Sequence, residues 1–210
     1  MKLPAIRDRL SRSFYDRPTE LVARELLGTA LLRQLDGQWL GGWIVETEAY
    51  LAEGDLASHS ARGKTPGNAA MFGPPGTLYV YPIHAKYCMN TVTESEGLGS
   101  AVLIRAIEPV WGIERMQENR GTDELRRLCR GPAMLCQSLG IDRAFDTVDL
   151  LTSKQIMISN RQFDEPSRVT ATTRIGISKS KARVLRYFVD GSWFVSGRAS
   201  DHRTRPSRKN

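Results

Sequence analysis

The segment Val45-Glu46-Thr47-Glu48-Ala49-Tyr50, with His59 nine residues after the tyrosine, gathers two carboxylates, a phenol and an imidazole just past the apolar run Trp43-Ile44-Val45. Residues two apart in a strand share a face, so Glu46, Glu48 and Tyr50 are expected to point the same way. A carboxylate is buried at a strand end only where something offsets the cost of desolvating it. Two carboxylates held that close push at least one pKa upward, which suits a general base. The plainer reading of the same residues is a strand running out into a solvated acidic turn.

Further along, Tyr79 and Tyr81 share a strand face, and Tyr87 is placed to lie across from them. Such a cluster forms a slot in which a planar ligand is held by stacking. Asn90 and Arg105 interrupt otherwise apolar strands, as contacts to a polar ligand would. His59 and His84 have no metal-ligand spacing with Glu46 and Glu48, so no metal site is expected. There is no G-x-S-x-G elbow and no P-loop. The chain is expected to need no cofactor.

The elements that position these residues are legible around them. Asp16 as cap, Pro18 in the first turn, the stripe Leu21, Val22, Leu26 and Leu27, and Gly28 predict a helix over 18–27. Asp36-Gly37 between two apolar runs predicts a hairpin, whose second strand runs through Gly41-Gly42 to Glu46. Residues 60–76 read as loop. Strands are expected over 77–81, stopped by Pro82, then over 87–92 and 101–107. Helices are expected over 110–119, 124–130 and 133–139, the last begun by Gly131-Pro132, and short strands over 173–177 and 187–189. The pattern is α+β: one domain over 1–198, mostly antiparallel, with helices grouped between two sets of strands.

Composition is that of an ordinary globular protein, 40% hydrophobic and 25% charged. The charge is uneven. The net is +7 and the sequence pI near 9.6, yet residues 161–210 hold 12 Lys and Arg against 4 Asp and Glu, whereas the first 160 hold 18 against 19. Lys2, Arg7, Arg9, Arg12 and Arg17 form a second basic cluster. Basic excess gathered into segments fits a polyanion such as nucleic acid, while 199–210 reads as a disordered basic tail. Cys88, Cys129 and Cys136 make no C-x-x-C pair, which favours a reducing interior. With no signal sequence and no run of membrane-spanning length, the expected location is the cytoplasm, or the nucleoid in a bacterium.

The motifs are far more specific together than singly. The acidic segment, His59-Ser60, Thr65-Pro66-Gly67-Asn68, Met71-Phe72 and Gly76-Thr77-Leu78-Tyr79-Val80-Tyr81 occur in order. Cys88-Met89-Asn90, Leu103-Ile104-Arg105-Ala106-Ile107-Glu108-Pro109 and Gly131-Pro132-Ala133-Met134-Leu135-Cys136 follow them. From about Phe14 to Trp193 the chain closely resembles the alkyladenine (3-methyladenine) DNA glycosylases, the mammalian-type family without a helix-hairpin-helix.

That resemblance implies a curved antiparallel sheet in a single domain with a positive face for DNA. It implies a monomeric, monofunctional enzyme that flips alkylated purines out of the duplex and hydrolyses the N-glycosidic bond. The substrates implied are 3-methyladenine and 7-methylguanine, with hypoxanthine and ethenoadenine as further candidates. Glu48 would activate the water. Tyr50, His59 and Tyr81 would line the base pocket, Asn90 would exclude guanine by clashing with its amino group, and Arg105 would help hold the extruded nucleotide. The family's duplex-wedging tyrosine, three residues after Tyr81, is replaced here by His84, in a loop one residue shorter.

Overall fold

A computed structural model describes residues 3–160 and 168–198; the basic tail 199–210 lies outside the described residues. Asp36 and Gly37, both at positive φ (48° and 81°), turn the hairpin between β1 (Ala30–Leu35) and β2 (Gln38–Tyr50). That is the two-residue turn whose twist matches the flanking strands.

The strand β2 is the spine of the sheet. Its first half pairs with β1, and its second half, on the same side, with β8 (Arg186–Val189). Along its other side runs β5 (Ser100–Trp111). The rest of the sheet is β3 (Leu78–Ile83), β4 (Lys86–Thr93), β6 (Ile156–Ser159) and β7 (Val169–Thr172), in the order β3-β4-β5-β2-β1-β6 with β7 bonded to β8. Every pairing is antiparallel.

The sheet curls because the β2–β5 pairing is bulged, once on β2 and twice on β5. Register shifts fall between Gly41 and Gly42, between Ile44 and Glu46, and between Glu46 and Thr47, and bulges add twist. A side chain at Gly41 would collide with the carbonyl of Leu31, and one at Gly42 with that of Glu108. Only glycine admits so close an approach.

The larger core lies on one face of the sheet, under α2 (Thr19–Glu25), α3 (Ile113–Arg120) and α4 (Pro132–Leu139), and includes Val22, Leu26, Ile44, Ile104, Met116 and Leu135. The mixed α+β, single-domain architecture expected from the chain is the one observed. Among the described residues no helix is long and apolar enough to cross a membrane.

Several local expectations are corrected. Asp16 does not cap α2: it closes the short helix α1 (Arg12–Tyr15), and Pro18 stands at the cap of α2. Leu21 is 40% exposed rather than part of the stripe. The strand β3 runs through Pro82 to Ile83; as the sheet edge it has no ladder bond on one side to lose. Val110 and Trp111 extend β5, so the helix starts only at Ile113. Residues 124–130 hold just one turn, Leu125–Arg127. The strand placed at 173–177 is instead β7, ending at Thr172.

Candidate active site

The second half of β2 carries Glu46 and Glu48, both fully buried. Opposite them the register steps from Ala106 to Ile104, leaving Arg105 as the extra residue of a bulge on β5. Bulges re-aim side chains beside active sites, and this one turns Arg105 onto the carboxylates. Its Nε donates to Glu46 Oε1 at 3.3 Å, its Nη1 to Glu48 Oε2 at 3.1 Å, and its Nη2 to Ser196 Oγ at 3.3 Å.

Glu48 accepts from two more donors: the Tyr50 hydroxyl at 2.9 Å and the Ile175 backbone N–H at 2.8 Å. Glu46 accepts from Arg186 Nε at 2.6 Å and from the Ser196 N–H and hydroxyl at 2.8 and 3.0 Å. The two carboxylates differ accordingly. Glu48 is bonded to Tyr50, Arg105 and Ile175; Glu46 is enclosed by two guanidiniums and a serine.

The expectation that such proximity pushes a pKa upward fails for Glu46. Burial opposes its charge, but Arg105, Arg186 and the Ser196 bonds together hold its carboxyl below the usual range. Arg105 shows the reciprocal effect. Burial works against its charge, and Glu48 and Glu46 hold it above the ordinary value. Tyr50 is raised well above the phenol range by burial and then by the Glu48 charge, so it stays a hydrogen-bond donor.

Tyr50, His59, Tyr79, Tyr81 and Arg105 line a cavity of about 730 Å³, in the range of ligand sites. A second, small cavity of about 20 Å³ shares its wall, lined by Tyr50, His59, Tyr79, Tyr81 and Asn90. The His59 and Tyr81 rings meet edge to face with centroids 4.5 Å apart, and His59 Nδ1 is 2.7 Å from the Tyr79 hydroxyl. Burial, then Arg62, lowers the His59 pKa, so the imidazole is neutral at physiological pH. Burial raises Tyr79 to about 12. Asn90 is buried and donates to the Tyr79 carbonyl at 3.0 Å, which stops its side chain from swinging aside.

Of the residues singled out in the sequence, Tyr50, His59, Tyr81 and Arg105 thus line one cavity, Asn90 lines the small one beside it, and Glu48 lies behind the wall, bonded to Tyr50, Arg105 and Ile175. Tyr87 does not join the slot; it packs against the larger core on the other face. His84 stands apart, exposed at the β3–β4 turn, with both His84 and Ala85 at positive φ. Among the described residues no three His, Cys, Asp or Glu are grouped to hold a metal.

Sequence reasoning missed the residues behind the site. Arg174 grips Asp55 with two bonds of 2.6 Å, both side chains fully buried, and lays its guanidinium 4.6 Å from the Tyr50 ring centroid. Arg186, Ser196 and the Ile175 N–H were equally unforeseen. The signal that pointed to them was the charge imbalance: cations late in the chain neutralise carboxylates early in it. The N-terminal basic cluster is likewise partly used inside the fold, Arg12 on Asp149 and Arg17 on Glu25.

A buried carboxylate bonded to the wall of an aromatic cavity is suited to hydrolysis beside a planar group. The family model described as methylpurine-DNA glycosylase matches residues 13–193, which sets the class as that of hydrolytic DNA glycosylases. A protein of Rhodopirellula baltica named "Putative 3-methyladenine DNA glycosylase" is 56% identical over 95% of this chain and 87% of its own length. One of the same name from Chlorobium phaeobacteroides is 42% identical over 91% of this chain and 96% of its own length. The mouse "DNA-3-methyladenine glycosylase" is 42% identical over 90% of this chain, which covers 61% of the mouse protein. The chain belongs to the methylpurine-DNA glycosylase family.

Proposed function

We propose that the protein is a monofunctional DNA-3-methyladenine glycosylase that flips alkylated purines out of double-stranded DNA and hydrolyses their N-glycosidic bond, with Glu48 as general base. The observation that carries this is the Glu48 carboxylate, held by Tyr50, Arg105 and Ile175 beside the aromatic cavity. A purine alkylated at N3 or N7 is already cationic and leaves without being protonated. Water adds to C1′ as the C1′–N bond breaks toward the base, and Glu48 takes the water's proton while its charge opposes the oxocarbenium-like sugar. Stacked between Tyr50 and Tyr81, the cationic base gains about 1–2 kcal/mol over a neutral one. Two of the five N–H donors of Arg105 lie outside its three bonds to Glu46, Glu48 and Ser196, and these are assigned to the extruded nucleotide.

The proposed substrates are 3-methyladenine and 7-methylguanine, with hypoxanthine and ethenoadenine as further lesions. The enzyme is read as a monomer working in the cytoplasm or nucleoid, its catalytic domain ending near residue 198. Base release from oligonucleotides carrying each lesion tests the assignment; no release from any alkylated purine would overturn it. Truncation after Arg198 should leave that release intact.

Asn90 is assigned the rejection of ordinary guanine. Its bond to the Tyr79 carbonyl fixes the amide at the small cavity, and on this assignment guanine's amino group would clash with it. Asn90→Ser should therefore raise excision of undamaged guanine by roughly tenfold or more, the scale on which pockets discriminate by one small group. Guanine release at background, with hypoxanthine release normal, would place the discrimination elsewhere.

His84 is assigned the role of wedge in the gap left by the flipped nucleotide. It stands at the exposed hairpin tip next to Ile83, which lines the cavity mouth. Imidazole covers less area than phenol, so His84→Tyr should strengthen binding to lesion-containing duplex and His84→Ala should weaken it. Single-stranded substrate should be indifferent to both. Stopped-flow fluorescence of a base analogue beside the lesion reads the flipping equilibrium; equal equilibria for all three proteins would remove His84 from the mechanism.

A further inference from the structure

Glu46 touches neither the cavity nor, on the reading above, the reacting atoms. It is nevertheless as buried as Glu48 and accepts four hydrogen bonds. Arg186, itself fully buried, fixes Glu46 Oε1 at 2.6 Å, and its Nη2 reaches the Ser196 carbonyl at 3.2 Å. Ser196 returns both its N–H and its hydroxyl to Glu46 and accepts from Arg105. Arg130 secures the same segment from outside, donating to the carbonyls of Val195 and Gly197 at 2.8 Å each. The segment 195–197 is thus sewn to the back of the site by three arginines.

This arrangement decides where the Arg105 fork can point. Its Nε is held by Glu46 and its Nη2 by Ser196, which leaves Nη1 alone for Glu48. A guanidinium free to turn would meet Glu48 with two parallel bonds, the geometry that fork and carboxylate prefer. A carboxylate so clamped is a weaker base and has fewer lone pairs for water. Glu46 therefore keeps Arg105 on Glu48 by a single edge.

We propose that Glu46, locked by Arg186 and Ser196, is a positioning residue that restrains Arg105 so that Glu48 remains free to take the proton of water. The proposal rests on Glu48 being the base, and it assigns Glu46 an action that passes entirely through Arg105 and Glu48.

Glu46→Gln keeps the size and most hydrogen bonds of the side chain but removes the charge that competes for Arg105. Single-turnover base release from a 3-methyladenine or hypoxanthine duplex should fall by roughly 30-fold, within the span of general-base effects. Binding of the same duplex should change by less than about twofold, since a positioning residue acts on the chemical step. The acid limb of the pH–rate profile should move to lower pH, because two buried guanidiniums then face one carboxylate. The other groups around Glu48 are unchanged by the substitution: Arg174, Tyr50, Tyr81 and Cys88.

The decisive measurement is the double-mutant cycle. In a Glu48→Gln background, Glu46→Gln should add less than about twofold, because residues acting as one unit are not additive. A further loss of roughly 30-fold there would show a purely structural role and overturn the proposal, as would near-normal release from Glu46→Gln alone. If instead Glu46→Gln abolished release and Glu48→Gln spared it, the base assignment itself would fail. Should Glu46→Gln not fold, Ser196→Ala removes only the hydroxyl bridge between Glu46 and Arg105. It should lower release by roughly threefold to tenfold with binding intact, and no change would overturn the proposal.

Discussion

Glu48→Gln is expected to lower single-turnover base release by at least about 10²-fold, the contribution typical of a general base, while damaged duplex still binds. Glutamine keeps the size of the side chain and can still accept from Ile175, Tyr50 or Arg105, so the local fold should survive. What is lost, on the proposed assignment, is the oxygen that takes the proton and the negative charge that opposes the developing sugar cation. The effect should therefore appear in the chemical step and hardly at all in binding. Turnover within a few-fold of the parent protein would show that the base is misassigned.

The second large effect concerns stability. Arg186→Met should destabilise the fold by about 3–5 kcal/mol, because removing one partner leaves a buried charge uncompensated. Glu46 would keep Arg105 and Ser196, which places the expected loss toward the lower end of that range. For a domain of this size it corresponds to a fall in Tm of roughly 10 °C. Denaturant titration or calorimetry reads it directly; a loss below about 1 kcal/mol would mean that the remaining donors suffice for Glu46. Arg186→Lys, which keeps the charge but not the fork, should fall between the two proteins.

How far the chain announced these features depends on whether the signal was local. The Asp36-Gly37 hairpin, α4 behind Gly131-Pro132 and the strand faces bearing Glu48 and Tyr81 follow from short-range rules, and the structure reproduces them. Pro82 misled because the rule against proline in strands presumes ladder bonds on both sides, and β3 is an edge. The order of the motifs located the cavity residues together. The charge network behind them was hidden. Arg105 faces the carboxylates because of a bulge, which no alternation pattern foretells. Arg186 and Ser196 meet Glu46 across 140 and 150 residues. The proximity argument for the two glutamates also erred for Glu46 on this account: it weighed one acid against the other without the cations that chain folding brings between them.

That separation along the chain bears on how the protein is born. During synthesis, β2 emerges long before β8, and until residue 186 is available Glu46 has no second guanidinium to meet. Closing the sheet around it earlier would strand an acid in an apolar interior, so the cheap course is to leave this half of β2 wet until the C-terminal strands arrive. The site around Glu46 is then expected to close only once residues 186–196 have emerged. A fragment that stops short of Ser196 would carry Glu48, Tyr50 and Tyr81 but lack the groups that hold Glu46 and Arg105 in place.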